Sequence, residues 1–321
     1  MPRAAPDRAE LEEDDIDFDD LRIRKPPPQW TTTATITSVV AWGALAAHNV
    51  IAMPKIDGVA NVSFERVSSS SRFVPKAALF ALRMGTFAFG VFFFCYHMVY
   101  EHSMQVRKTD GFDYLSDWTI LLLFVLEGAL GMNMYRTERE EGELDGLTNV
   151  LVIAYGVAWT TNVLSSAGAW YSFFAFPMCR ALEGVDNYPD CYLEWYRLVE
   201  HAGNMVVLLL EFLLGALPMR RRDFGWSILF VQAYVFFCWY RFYATGKAVY
   251  VMFDFAKSFE SLAWHNLVFF ATTLIFFVCL KFHQHKGYRT AAHVRAAGPF
   301  VIARVRGDDV DVAERASLVQ K

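Results

Sequence analysis

Residues 146–179 read GLTNVLVIAYGVAWTTNVLSSAGAWYSFFAFPMC, 34 consecutive positions without an Asp, Glu, Lys or Arg. About 20 mostly apolar residues cross the hydrocarbon core of a bilayer as a helix, so this run supplies a span over 148–170 and an apolar loop behind it. Working outward, comparable runs lie at 77–100, interrupted by Arg83, at 118–135 with the single acid Glu127, and at 201–219 with the single acid Glu211. Two more follow at 224–240 and 261–280. The composition agrees: 55% of the 321 residues are hydrophobic and 20% charged, and a mean hydropathy of +0.23 is too high for an ordinary water-soluble enzyme. The expected fold is an all-α polytopic membrane helix bundle with six transmembrane helices.

A seventh uncharged run, 37–53, is short and Ala-rich and carries His48 and Asn49 behind a run of Thr, which reads as an interfacial or re-entrant helix. The chain then divides into an acidic tail (1–30), an N-terminal segment with that extra helix (31–76), the six-span domain (77–281) and a C-terminal tail (282–321). Residues 1–25 hold nine acids and five bases, cannot bury a core, and lack the basic-then-apolar order of a cleaved signal. The first membrane helix is expected to serve as its own insertion signal. Elsewhere 25 acids and 25 bases cancel, and no basic surface points to nucleic acid.

Lys and Arg near the span ends number 12 on the side shared by Arg220, Arg221 and Arg222, against 6 on the other. The positive side is the cytoplasmic one, so both termini are expected in the cytoplasm of an endomembrane or plasma membrane protein. On that orientation Asn61-Val62-Ser63 is cytoplasmic. Cys179 and Cys191 share an outer loop, where an oxidising environment lets them pair.

Ionisable groups inside a bilayer are expensive and therefore candidates for function. Glu127, Glu211, His97, His201 and His265 qualify, although His97 and His265 lie close enough to span ends to meet interfacial water. Trp118, Trp170, Trp195, Trp226 and Trp239 read as interfacial anchors. Two polar clusters open spans on the same side, Tyr114-Leu115-Ser116-Asp117-Trp118 and Glu200-His201-Ala202-Gly203-Asn204. A hydroxyl beside an imidazole is the minimum for covalent ester cleavage, because the His takes the proton as the oxygen attacks. Two readings stay open at Ser116: nucleophile, or cap of the first helical turn. Glu127 and Glu211 each lie about 15 Å deeper at 1.5 Å per residue, too far to orient His201 and placed to meet each other in the inner half of the bundle. The His positions make no tight His-x-x-x-His cluster and offer at best one pair for a haem, and no cofactor or metal is expected.

The two clusters resemble those of the androgen-induced protein and androgen-dependent TFPI-regulating protein family of multipass membrane hydrolases, and of the related Rolling stone proteins. Leu115-Ser116 matches that family's aromatic-Leu-Thr segment with Ser in place of the nucleophilic Thr, and Trp118 matches a Trp of Rolling stone members. His201, with Glu211 ten residues on, matches the family's catalytic base and the carboxylate after it. The segment from Cys238-Trp239 to Val249-Tyr250 and Asp254 is similar to the fifth span and its following loop, with Val251 where the family has Pro. The resemblance implies hydrolysis of fatty acid esters of hydroxy fatty acids, with Ser116 and His201 catalytic and Asn204, Asp117 and Glu211 in support. The implied partners are membrane lipids and an amphiphilic lipid ester. The alternative is a non-enzymatic Rolling stone-like protein, or a proton-coupled transporter using Glu127 and Glu211.

Overall fold

A helix occupies each of the charge-poor runs. The computed structural model describes residues 29–52, 74–104, 114–134, 146–175, 195–215, 217–245, 249–250 and 258–296. In chain order the helices are α1 (Gln29–Ala52), α2 (Lys76–Met104), α3 (Leu115–Asn133) and α4 (Gly146–Ala175). Next comes α5, helical over Trp195–Leu198, making a π turn over Val199–Gly203 and resuming as α-helix over Asn204–Leu214. A 3₁₀ turn at Arg221–Asp223 leads into α6 (Phe224–Thr245), and α7 (Ser258–Ala296) follows. Five segments are long and apolar enough to cross a membrane: Thr31–Ile51, Lys76–Tyr96, Leu115–Asn133, Asn149–Tyr171 and Phe259–Lys286. The chain is thus an all-α, multi-pass membrane protein. The π turn leaves α5 an unbroken α-helical stretch of only 11 residues, Asn204–Leu214.

The polarity of the bundle is that of a protein in lipid. Phe92, Val206, Leu213, Phe270, Leu274 and Phe282 point outward and are exposed, whereas Arg83, Glu127, Asn162, Asn204, Glu211 and His265 are buried. Polar side chains turn inward because hydrocarbon offers them no hydrogen bonds.

One expectation changes. The run at 37–53 belongs to a helix that starts at Gln29, long enough to cross, and α1 packs along α6 and α7 rather than lying at an interface. The Gln232 amide donates to the Val39 carbonyl at 3.2 Å, and the Gly225 N–H donates to Asn49 Oδ1 at 3.2 Å, so α1 runs antiparallel to α6. Ser38 Oγ donates to Asn266 Oδ1 at 2.5 Å, and Trp42 stacks on Phe269 with ring centroids 5.7 Å apart. Trp239 against His265 and Phe224 against Phe276 make α6 antiparallel to α7, and hence α1 parallel to α7. The start of α1 and the far end of α7 therefore lie at opposite faces of the bundle. The polar groups of this run, Ser38, Trp42 and Asn49, find their partners on α6 and α7. Asn61, Cys179 and Cys191 lie outside the described residues.

Glycines set two close approaches. A Cβ at Gly225 would fall 2.5 Å from the Ala46 carbonyl oxygen, and one at Gly128 would fall 2.7 Å from the Phe87 ring. Small residues at such points let helices pack without a hydrophobic force between them. At the end where α6 begins, Arg220 holds Asp223 through two bonds of 2.8 Å and reaches Asn149 Oδ1 on α4 at 2.8 Å. Burial pushes the Asp223 carboxyl up while the Arg220 guanidinium pulls it down. One of the three arginines counted at this span end is thus an internal strut.

Two outcomes are expected. Gly225→Val should lower stability in detergent by about 1–3 kcal/mol, read as a fall in thermal midpoint, because the α1 backbone cannot yield. Protease-cleavable tags placed before α1 and after α7 should be accessible from opposite sides of sealed vesicles; cleavage of both from one side would show that α1 does not cross.

Candidate functional site

The start of α3 is capped without Ser116. Tyr114 takes the N-cap position with an extended backbone (φ −96°, ψ 149°). Its N–H donates to Asp117 Oδ2 at 3.1 Å, and the Leu115 N–H donates to the Tyr250 hydroxyl at 3.1 Å. Two of the donors that a helix start leaves without partners are thereby satisfied. Asp117, read as a supporting catalytic group, is a capping carboxylate, and Tyr250 ties the chain after α6 to the same point. Ser116 is buried. Its carbonyl accepts a bond from Thr119 Oγ1 at 3.1 Å.

On α5 the Asn204 N–H bonds the Val199 carbonyl, the i→i−5 pattern of a π turn, a distortion common at functional sites. The turn carries Glu200, 1% exposed, with Oε2 at 3.7 Å from His201 Nε2. Trp170 Nε1 donates to the His201 carbonyl at 3.1 Å, fastening the turn to α4. Asn204, expected to steady the base or an oxyanion, is engaged elsewhere. Its Nδ2 donates to Asn162 Oδ1 at 2.9 Å, and its Oδ1 accepts from Ser166 Oγ at 3.2 Å and from the Met205 N–H at 2.7 Å.

This ladder sets relative depth. Asn162 Nδ2 also donates to the Thr119 carbonyl at 3.2 Å, so Thr119 on α3 and Asn204 on α5 flank the same residue of α4. Ser116 lies three residues before Thr119, and His201 three before Asn204, each toward the same end of the bundle. Ser116 and His201 therefore share a depth.

A second constellation lies roughly 15 Å deeper. Arg83, 0% exposed, grips Glu211 in a bidentate pair: Nε donates to Oε2 at 3.1 Å and Nη2 to Oε1. Glu127 and Glu211 line one small cavity with Leu82, Thr86, Val207 and Leu210. The two acids meet as expected, and Arg83, which interrupts the 77–100 run, stands between the helices as a partner that the sequence did not assign. The cue was present: Arg83 stands between two uncharged runs, and a charge inside a span implies a partner. Glu200 was likewise overlooked as a group in its own right, since a charge next to a loop reads as solvated.

Two histidines are structural. Trp239 Nε1–H donates to His265 Nε2 at 2.9 Å, and His265 Nδ1–H donates to the Ser261 carbonyl at 2.7 Å. Trp N–H has no other role than donor, so the ring is neutral. His265 is fully buried rather than facing interfacial water, and Trp239 is its clamp rather than an anchor. His283 repeats the pattern between the Tyr155 hydroxyl (3.1 Å) and the Cys279 carbonyl (2.8 Å). The His97 side chain lies outside the described residues.

Arg83→Met alone should cost about 3–5 kcal/mol, because it strands a buried carboxylate. The double variant Arg83→Met with Glu211→Met should recover most of that loss. Thermal unfolding of the three proteins in one detergent checks this; a double variant no better than the single would show that the pair does not act as a unit.

No known protein family, curated protein or solved structure matches the chain.

Proposed function

We propose that the chain is a membrane-embedded hydrolase of amphiphilic lipid esters, with Ser116 as nucleophile and His201 as general base. One observation carries this reading: the buried Ser116 lies at the depth of an imidazole whose Nε2 stands 3.7 Å from the buried carboxylate of Glu200. The competing role of Ser116 as a helix cap is taken by Asp117 and Tyr250 instead.

His201 takes the hydroxyl proton as Ser116 Oγ attacks the ester carbonyl. The tetrahedral adduct collapses, and the departing alcohol receives that proton from His201. Water, deprotonated by the same ring, then attacks the acyl-serine and releases the fatty acid. Glu200 favours the charged ring that forms in both halves of the cycle. Asn204 holds the helices in register and does not touch the reacting atoms, and Glu211 serves Arg83. The resemblance of the two clusters to the androgen-induced protein family supports fatty acid esters of hydroxy fatty acids as the substrate class. The Lys and Arg distribution supports a cytoplasmic side at the end of α7, and with it a dyad toward the opposite leaflet of an endomembrane or plasma membrane.

The test uses purified full-length protein, a fluorophosphonate probe and a lipid ester. Ser116→Ala should abolish labelling and hydrolysis, and Ser116→Thr should retain part of both. His201→Ala should lower turnover by about 10²-fold or more, and Glu200→Gln should lower it less while leaving the label in place. Wild-type hydrolysis by a folded Ser116→Ala protein would remove the catalytic assignment.

A further inference from the structure

The cavity between α2, α3 and α5 carries an inference independent of the dyad. Its charges do not balance. Arg83 and Glu211 neutralise one another in their bidentate pair, which leaves Glu127 as a third ionisable group in the same place. Glu127 is 2% exposed, and its Oε1 has no hydrogen-bond partner. Its carboxyl lines a cavity of about 10 Å³ together with Glu211, Thr86 and three aliphatic side chains, which is close to the space that one water-sized ligand needs. An ionised Glu127 would leave one net negative charge in a low-dielectric interior with an acceptor unsatisfied, an arrangement that such an interior strongly disfavours.

Something must neutralise that charge, and the local chemistry chooses between two candidates. A metal cation would need several oxygen ligands and would sit beside the Arg83 guanidinium, which repels it. A proton needs no coordination shell, converts an unsatisfied acceptor into a donor, and is not excluded by the neighbouring arginine. We propose that this cavity is a proton-binding site, with one exchangeable proton held on the Glu127 carboxyl. The titratable groups that face it are Arg83 from α2, Glu211 from α5 and Tyr155 from α4, and Tyr155 is joined through its hydroxyl to His283 on α7. With the proton present, Arg83 serves Glu211 alone, which is the arrangement observed. With the proton gone, one guanidinium must serve two carboxylates on different helices, and α3 and α5 are drawn together around it. Occupancy of the site is in this way tied to the spacing of the helices that carry Ser116 and His201, whether or not those residues are catalytic.

The experiment is infrared spectroscopy of the full-length protein in detergent at neutral pH, paired with thermal unfolding. The wild type should show the carbonyl stretch of a neutral carboxylic acid, shifted on transfer to deuterium oxide and lost in Glu127→Gln. The thermal midpoint of Glu127→Gln should stay within about 3 °C of wild type, since an amide is isosteric with the protonated acid. A larger fall, or failure of Glu127→Gln to fold, would show that the charged form is required and would overturn the proposal. So would the absence of the band in the wild type, its persistence in Glu127→Gln, or its failure to shift in deuterium oxide. A wild-type midpoint raised by sodium chloride over choline chloride, with no such rise in Glu127→Gln, would identify a metal cation there and overturn it as well. Because Ser116→Ala should leave the band and its shift unchanged, loss of the hydrolase reading and loss of this one are separately visible.

Discussion

Hydrocarbon supplies no hydrogen bonds, and this single constraint organises the whole bundle. A polar side chain placed within a span is driven to find its partner on another helix or on its own backbone, and Glu127 Oε1 is an exception among the described residues. The resulting cross-links read like a wiring plan. Arg83 and Glu211 join α2 to α5, Asn162 joins α4 to α3 and α5, Tyr155 and His283 join α4 to α7, Trp239 and His265 join α6 to α7, and Gln232 joins α6 to α1. A bond of this kind between helices contributes on the order of 1 kcal/mol. Collectively they specify which helix lies beside which, because a helix in the wrong place would leave its polar group in lipid.

The two functional candidates are separated along the bundle normal and share one helix. α5 carries Glu200 and His201 in its π turn and Glu211 in the α-helical part. The π turn is the place where a rigid displacement of the lower part of α5 need not be transmitted unchanged to the imidazole, since its backbone bonds are already off the α pattern. The upper polar ladder, from Thr119 through Asn162 to Asn204 and Ser166, then holds the helices in register at the level of the turn. A site whose base sits just above a fully satisfied network is positioned by that network, not by its own hydrogen bonds.

Burial has opposite meanings for the two carboxylates of the inner half. Glu211 is stabilised as an anion by the bidentate guanidinium of Arg83, so burial strengthens an attraction that is already geometrically complete. Glu127 has no such donor at Oε1, so the same burial makes its charge costly. Residues of one type at one depth thereby acquire different chemistry from their neighbours alone.

Much of the architecture was legible in the sequence because hydrophobic length is a one-dimensional property. Runs without charge longer than a bilayer is thick become helices wherever they occur, and all six expected spans have helices at their positions. The shared depth of Ser116 and His201 was also legible, since rise per residue converts position in a span into depth. Partner identity was not. Nothing in the order of residues says that Arg83 reaches Glu211, 128 positions away, that Tyr250 rather than Ser116 completes the cap of α3, or that Asn204 faces Asn162 instead of His201. The short run at 37–53 packs inside the bundle, where α6 and α7 offer its Ser38, Trp42, Val39 and Asn49 groups partners. Length and polarity are carried by each segment by itself, whereas the rotation of a helix about its axis, and so the choice of which side chains meet, is decided by the neighbours packed around it.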